Sequence, residues 1–207
     1  MTGSMRTAAR LLSYLFHPLL FTTYLVIVLG FLMPRFLLIP PTAIWKFAGF
    51  VAVITFVFPA ANLVMLRAFG SIKTLEMEER KDRMLPFFMI TVFYGVVCAM
   101  FFYKVSVNVN FNKIMLIVTL LTAVATVVTF FFKISVHSLA MGGALGIMLP
   151  LNKAADGELL YPAAALLVLA GLIMSARLYL QVHTLREVGY GAAVGFLVGF
   201  FGMIILF

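Results

Sequence analysis

The stretch I-M-L-I-V-T-L-L-T-A-V-A-T-V-V-T-F-F-F, residues 114–132, decides the fold class. It lies between Lys113 and Lys133, carries no charge, and has only threonines for polar side chains. A helix of about 20 apolar residues crosses the ~30 Å hydrocarbon core of a bilayer, and this run has that length. A water-soluble domain needs polar residues over its outside, and here there are almost none to supply them.

Outward from this run the pattern repeats. Upstream are apolar segments near 85–103, opened by Pro86; near 43–68, with Pro59 as an expected kink; and near 11–33, which contains His17-Pro18 and ends at Pro34-Arg35. Two arginines precede the first run but no small-residue cleavage site follows it, so it reads as a span rather than a signal peptide. Downstream comes a shorter segment to Pro150 bearing Gly142, Gly143 and Gly146, then a polar link from Asn152 to Glu158. Spans near 160–182 and 188–207 follow, the last with Gly191, Gly195 and Gly199 at four-residue spacing. Small residues at that spacing form a packing face in lipid. The sequence therefore predicts an all-α polytopic transmembrane helix bundle of about six to seven spans, the short one near 136–150, in a single integral membrane domain over 1–207.

Composition agrees. Hydrophobic residues make up 64% of the 207 and charged residues 11%, against roughly a quarter in a soluble domain; mean hydropathy is +1.15. One cysteine, Cys98, excludes an intramolecular disulfide. The net charge of +8 fits Lys and Arg at span ends or a site for an anion. It does not point to nucleic acid, because the basic clusters lack interleaved aromatics on a soluble scaffold.

Charge is concentrated in three places. Arg67 to Arg83 reads R-A-F-G-S-I-K-T-L-E-M-E-E-R-K-D-R; Lys73 and Arg80 stand seven apart, which on a helix puts them on one face, with Glu76, Glu78, Glu79 and Asp82 interspersed. After Lys133 comes Ser135-Val136-His137-Ser138, where a helix start would aim backbone N–H groups at an anion. Ser175 to Gly195 reads S-A-R-L-Y-L-Q-V-H-T-L-R-E-V-G-Y-G-A-A-V-G. There His183 and Glu187 are spaced to share a helix face, and a turn is expected between Arg177 and His183. Counting crossings puts all three clusters on one side of the membrane, where ionisable residues mark functional sites. Each also has a plain reading: a solvated basic loop, a capping serine with a buried histidine, and snorkelling arginines beside an interfacial histidine.

In order and spacing the clusters resemble the type 2 phosphatidic acid phosphatase superfamily, whose pattern is K-x6-R-P, then P-S-G-H, then S-R-x5-H-x3-D and V-x2-G-x3-G. Lys73 and Arg80 match the first motif, with Lys81 for the usual Pro; a register on Arg83 and Pro86 is the alternative. Ser135 and His137 match the second, with Ile134 for Pro and Val136 for Gly. Arg177 and His183 match the third, with Glu187 for Asp and Ser175 one residue early; Val188, Gly191 and Gly195 continue the match. The resemblance covers about residues 73–195.

It implies a metal-independent hydrolase with no cofactor, acting on a lipid phosphate or a polyprenyl diphosphate among membrane lipids. His183 would form a phosphohistidine, Glu187 orient it, and His137 protonate the leaving group; Lys73, Arg80, Ser135 and Arg177 would hold the phosphoryl oxygens. The expected location is the inner (cell) membrane of a bacterium. The rival expectation is a catalytically inactive relative that binds or moves lipids, or an unrelated small transporter or structural bundle whose charges line a path. The Lys and Arg balance, about ten of the 15 on the motif side, makes that side cytoplasmic, whereas the family more often faces outward.

Overall fold

The computed structural model describes residues 2–75, 77, 79–105 and 108–207. Glu76 and Glu78 of the first basic cluster lie outside them. The described residues form ten α-helices and no strand: α1 (Thr2–Leu15), α2 (Phe21–Leu32), α3 (Pro34–Leu37), α4 (Ile44–Ala52), α5 (Phe58–Ala68), α6 (Arg80–Tyr103), α7 (Val109–Phe131), α8 (Val136–Ala154), α9 (Leu160–Tyr179) and α10 (Leu185–Leu206). Among the described residues, six helical stretches are long and apolar enough to cross a membrane: Gly3–Leu32, Pro41–Ala68, Arg80–Tyr103, Val109–Phe131, Leu160–Tyr179 and Leu185–Leu206. The protein is an integral membrane helix bundle.

Three boundaries differ from the expected ones, each for a local reason. The first span is broken, because His17 is extended (ψ 136°) ahead of Pro18 and a short 3-10 turn, Pro18–Leu20, follows. The third span begins at Arg80 rather than at Pro86, which sits inside α6. The segment 136–150, expected as a short seventh crossing, is the start of α8. That helix is 19 residues long, but its His, Ser, Gly, Asn and Lys leave it too polar to count with the six.

The chain divides into two compact units, residues 1–21 with 134–207, and residues 22–133. In the first, α8 packs on α9 and along the whole of α10, and α1 packs on α9. The α8–α10 contact is backbone to backbone. A methyl group added at Gly195 would lie 2.1 Å from the Leu139 carbonyl oxygen, one at Gly199 2.4 Å from that of Gly143, and one at Gly191 2.6 Å from that of Ser135. From the other helix, Gly142 would meet the Ala192 carbonyl oxygen at 2.2 Å and Gly146 that of Phe196 at 2.4 Å. Numbers rise together along both helices, so α8 and α10 run parallel with their amino-termini side by side. Met141 and Ala144 of α8, Ala170 and Ile173 of α9, and Phe21 form a buried apolar cluster between α8 and α9.

In the second unit α6 and α7 pair through side chains. The Thr91 and Thr126 hydroxyls meet at 2.8 Å, Asn112 Nδ2 donates to the Phe101 carbonyl at 3.1 Å, and Phe111 sits against Phe47 and Phe101. Pro59 has no N–H to give the Thr55 carbonyl four residues earlier. A five-residue π segment, Val53–Val57, forms there, and the Tyr94 hydroxyl donates to the Thr55 carbonyl instead, at 2.6 Å.

Candidate functional site: a histidine cluster at two helix amino-termini

Parallel pairing of α8 and α10 gathers the second and third motifs within the first unit. The turn expected after Arg177 is present. Helix α9 closes at Leu180, and Gln181 takes a left-handed conformation, φ 57°. His183 then precedes the N-cap residue Thr184. It is therefore not on a helix face shared with Glu187, as the four-residue spacing suggests. The two still meet, through a capping box. Thr184 Oγ1 accepts from the Glu187 N–H at 3.3 Å, and the Glu187 carboxylate returns to accept from the Thr184 N–H at 3.4 Å. The same carboxylate oxygen, Oε2, accepts from His183 Nδ1–H at 2.6 Å. That bond fixes the tautomer and leaves the lone pair of the neutral ring on Nε2. The His183 side chain is 1% exposed and that of Glu187 21%.

Ser135 is the N-cap of α8 and its hydroxyl accepts from the Ser138 N–H at 3.4 Å. Its own N–H donates to the Glu187 carbonyl at 3.1 Å, tying the second motif to the third through backbone. Gly191, one turn further along α10, is the residue whose missing side chain lets Ser135 approach. Val136 occupies the first position of α8 with ordinary negative φ, so the departure from Gly there costs no backbone strain. His137 and Ser138 are buried. His137 Nε2–H donates to the Ser13 carbonyl of α1 at 3.1 Å; that carbonyl is among the last four of α1, which have no intrahelical partner once the helix stops before Pro18. His137 Nδ1 and Ser138 Oγ are buried with no hydrogen-bond partner.

A residue that the motif reading leaves out joins them. The His17 ring lies edge-on to His137, with centroids 6.0 Å apart and planes at 73°. Arg177, in the last turn of α9, is within electrostatic reach of both rings, and His183 of His137. All three histidines of the chain are thus in one cluster. The only sequence signal for His17 was its place beside a proline inside an apolar run.

Lys73 and Arg80 belong to the second unit. They do not share a helix face, because Lys73 precedes α6 in a non-helical stretch and Arg80 is its first residue. Lys73 forms an exposed ion pair with Glu79 at 3.1 Å. The Glu79 hydrogen bond, with the charges of Glu79 and Asp82, holds its pKa above the usual lysine value; such exposed pairs contribute little to stability. Arg80 donates to the Phe130 carbonyl. Arg83, the alternative for the first motif, is buried and its Nε donates to the Met77 carbonyl at 2.7 Å.

Comparison of the chain with protein-family models, with curated proteins and with solved structures returns no match.

Proposed function

We propose that this protein is a membrane-embedded, metal-independent lipid phosphate phosphatase of the bacterial cell membrane, working through a phosphohistidine. The observation that carries the reading is the His183–Glu187 bond at the amino-terminus of α10, set beside Ser135 and His137 at the amino-terminus of α8. A histidine whose Nδ1–H is held by a carboxylate is a nucleophile through Nε2. Two helix amino-termini and Arg177 favour the charge of a phosphoryl group.

In this reading His183 Nε2 attacks phosphorus and the bond to the lipid oxygen breaks. Arg177 and Ser135 hold the non-bridging oxygens. His137 Nδ1, available because Nε2–H is engaged by Ser13, passes a proton brought by the protonated phosphate group to the departing alkoxide. Water then attacks phosphorus, giving its proton to the phosphate through His137, and the P–N bond to His183 breaks. Positioning and charge stabilisation supply most of the acceleration in such transfers. Burial within a membrane bundle favours a lipid-borne substrate: phosphatidic acid, another glycerophospholipid phosphate, or a polyprenyl diphosphate.

The purified protein in detergent, given a panel of these lipids, should release phosphate in the presence of EDTA and be inhibited by vanadate, which mimics five-coordinate phosphorus. His183→Ala should abolish release. His137→Ala should slow poor leaving groups most, by roughly a hundred- to ten-thousand-fold if general acid catalysis is lost. One observation favours a second reading, a lipid-binding relative without turnover: His137 is already bonded to Ser13. Lipid phosphate binding with no hydrolysis in the wild type would select it.

A further inference from the structure

We infer that His17 is a phosphoryl-binding residue, its Nε2–H donating to the same anion that Arg177 and His137 receive. The break at His17-Pro18 thereby makes α1 one wall of the site. The inference rests on reading the cluster as a phosphoryl site. It adds a ligand from a helix that lies outside the three motifs.

The tautomer of His17 follows from its neighbours. Nδ1 accepts from the Leu19 N–H at 3.4 Å, so the proton of the neutral ring is on Nε2. The ring stands edge-on to His137, within electrostatic reach of Arg177. Beside it is a buried polar atom without a partner, His137 Nδ1. Buried polar atoms are nearly always paired, and an unpaired group costs free energy that a ligand recovers. A ligand with several oxygens, some protonated, answers that atom by sharing a proton with His137 Nδ1. Inorganic phosphate has that chemistry, as does a lipid phosphate headgroup. The helix break also serves α1 itself. It frees the Ser13 carbonyl that orients His137 and sets His17 where an unbroken helix would have buried its N–H in the ladder.

The plain alternative is that His17 only caps the 3-10 turn. Two substitutions separate the roles. His17→Asn keeps a short acceptor for the Leu19 N–H, as a good capping residue does, but removes the distal donor. His17→Gln gives up the cap and places an amide N–H near the position of Nε2–H. In full-length protein in detergent, inorganic phosphate should protect the wild type and His17→Gln against thermal unfolding at similar concentrations. His17→Asn should need roughly ten- to a hundredfold more, the range expected for one hydrogen bond to a charged group. With a lipid phosphate substrate, the same variant should raise KM by a similar factor and leave kcat within a few-fold. In the wild type, titrating phosphate should move the His17 imidazole resonance, a readout that needs no variant to fold.

Wild-type phosphate binding by His17→Asn, or a His17 resonance that stays still as phosphate binds, would overturn the inference even if the enzyme hydrolyses lipid phosphates. Binding with the Asn and Gln pattern, but no hydrolysis of any lipid, would keep the inference and remove the phosphatase reading. A lipid phosphate that binds with this pattern where inorganic phosphate does not would place the site's specificity in the lipid-borne group. A wild type that neither binds phosphate nor hydrolyses lipid phosphate would sink both.

Discussion

The helix pairs α8–α10 and α6–α7 are joined by opposite means. In α8–α10 glycines remove the side chains between two parallel backbones, and carbonyl oxygens of each helix occupy the space where methyl groups would stand on the other. In α6–α7 the seam is made of threonines, an asparagine and aromatic rings. A seam of side chains can adjust, because rotamers move at modest cost. A seam of backbone cannot, because nothing flexible lies in it. The stiffer pair is the one whose amino-termini hold His137 and His183. Rigid supports are what a site needing positions good to about half an ångström requires.

Four substitutions test that contrast, in descending size. Gly195→Val pushes a branched side chain into the Leu139 carbonyl. It should cost about 3 kcal/mol or more in detergent unfolding and abolish phosphate binding, since the two helix starts must part. Retained binding with unchanged stability would refute the rigid-seam account. Thr184→Ala removes the cap of α10 and should cost about 1 kcal/mol. It also loosens the Glu187 carboxylate that holds His183, so phosphate release should fall more than stability does; equal, small effects would mean that the cap is structural alone. Gly95→Ala, on α6, meets nothing within 4 Å and should stabilise by about 0.5–1 kcal/mol. A loss there as large as at Gly195 would erase the distinction between the pairs. Thr91→Val should have the smallest effect, about 0.6 kcal/mol, because its partner Thr126 keeps a second bond to the Thr122 carbonyl at 2.8 Å. A cost of several kcal/mol would show the side-chain seam to be as exacting as the glycine one.

Much of the candidate site's residue set was readable from spacing. Ser135, His137, Arg177, His183 and Glu187 are all found in one unit, and the turn between Arg177 and His183 follows from a spacing that a single helix cannot satisfy. The detail differs: Glu187 reaches His183 through a capping box, T-L-R-E, rather than along a shared face. The box is a local pattern and stood in the sequence unread. Lys73 and Arg80 were matched by spacing to a helix that does not begin until Arg80. His17 and the Ser13 carbonyl could not be matched at all, because no pattern around residue 17 mentions residue 137.

By itself the sequence determined that this is an all-α membrane protein of about six to seven apolar spans, and that one face of α10 is lined with glycine. These are properties of composition and of neighbours a few residues apart, and the bilayer enforces them because every backbone polar group must be satisfied within the chain. Only the tertiary structure decided which helix lies on that glycine face and that the pair runs parallel. It also decided that the broken end of α1 brings His17 and a carbonyl to His137. Those depend on contacts between residues far apart in the chain, about fifty positions for the α8–α10 seam and 124 for Ser13 and His137, and nothing in the intervening sequence encodes their distance; it is set when α8, α9, α10 and α1 bury one another.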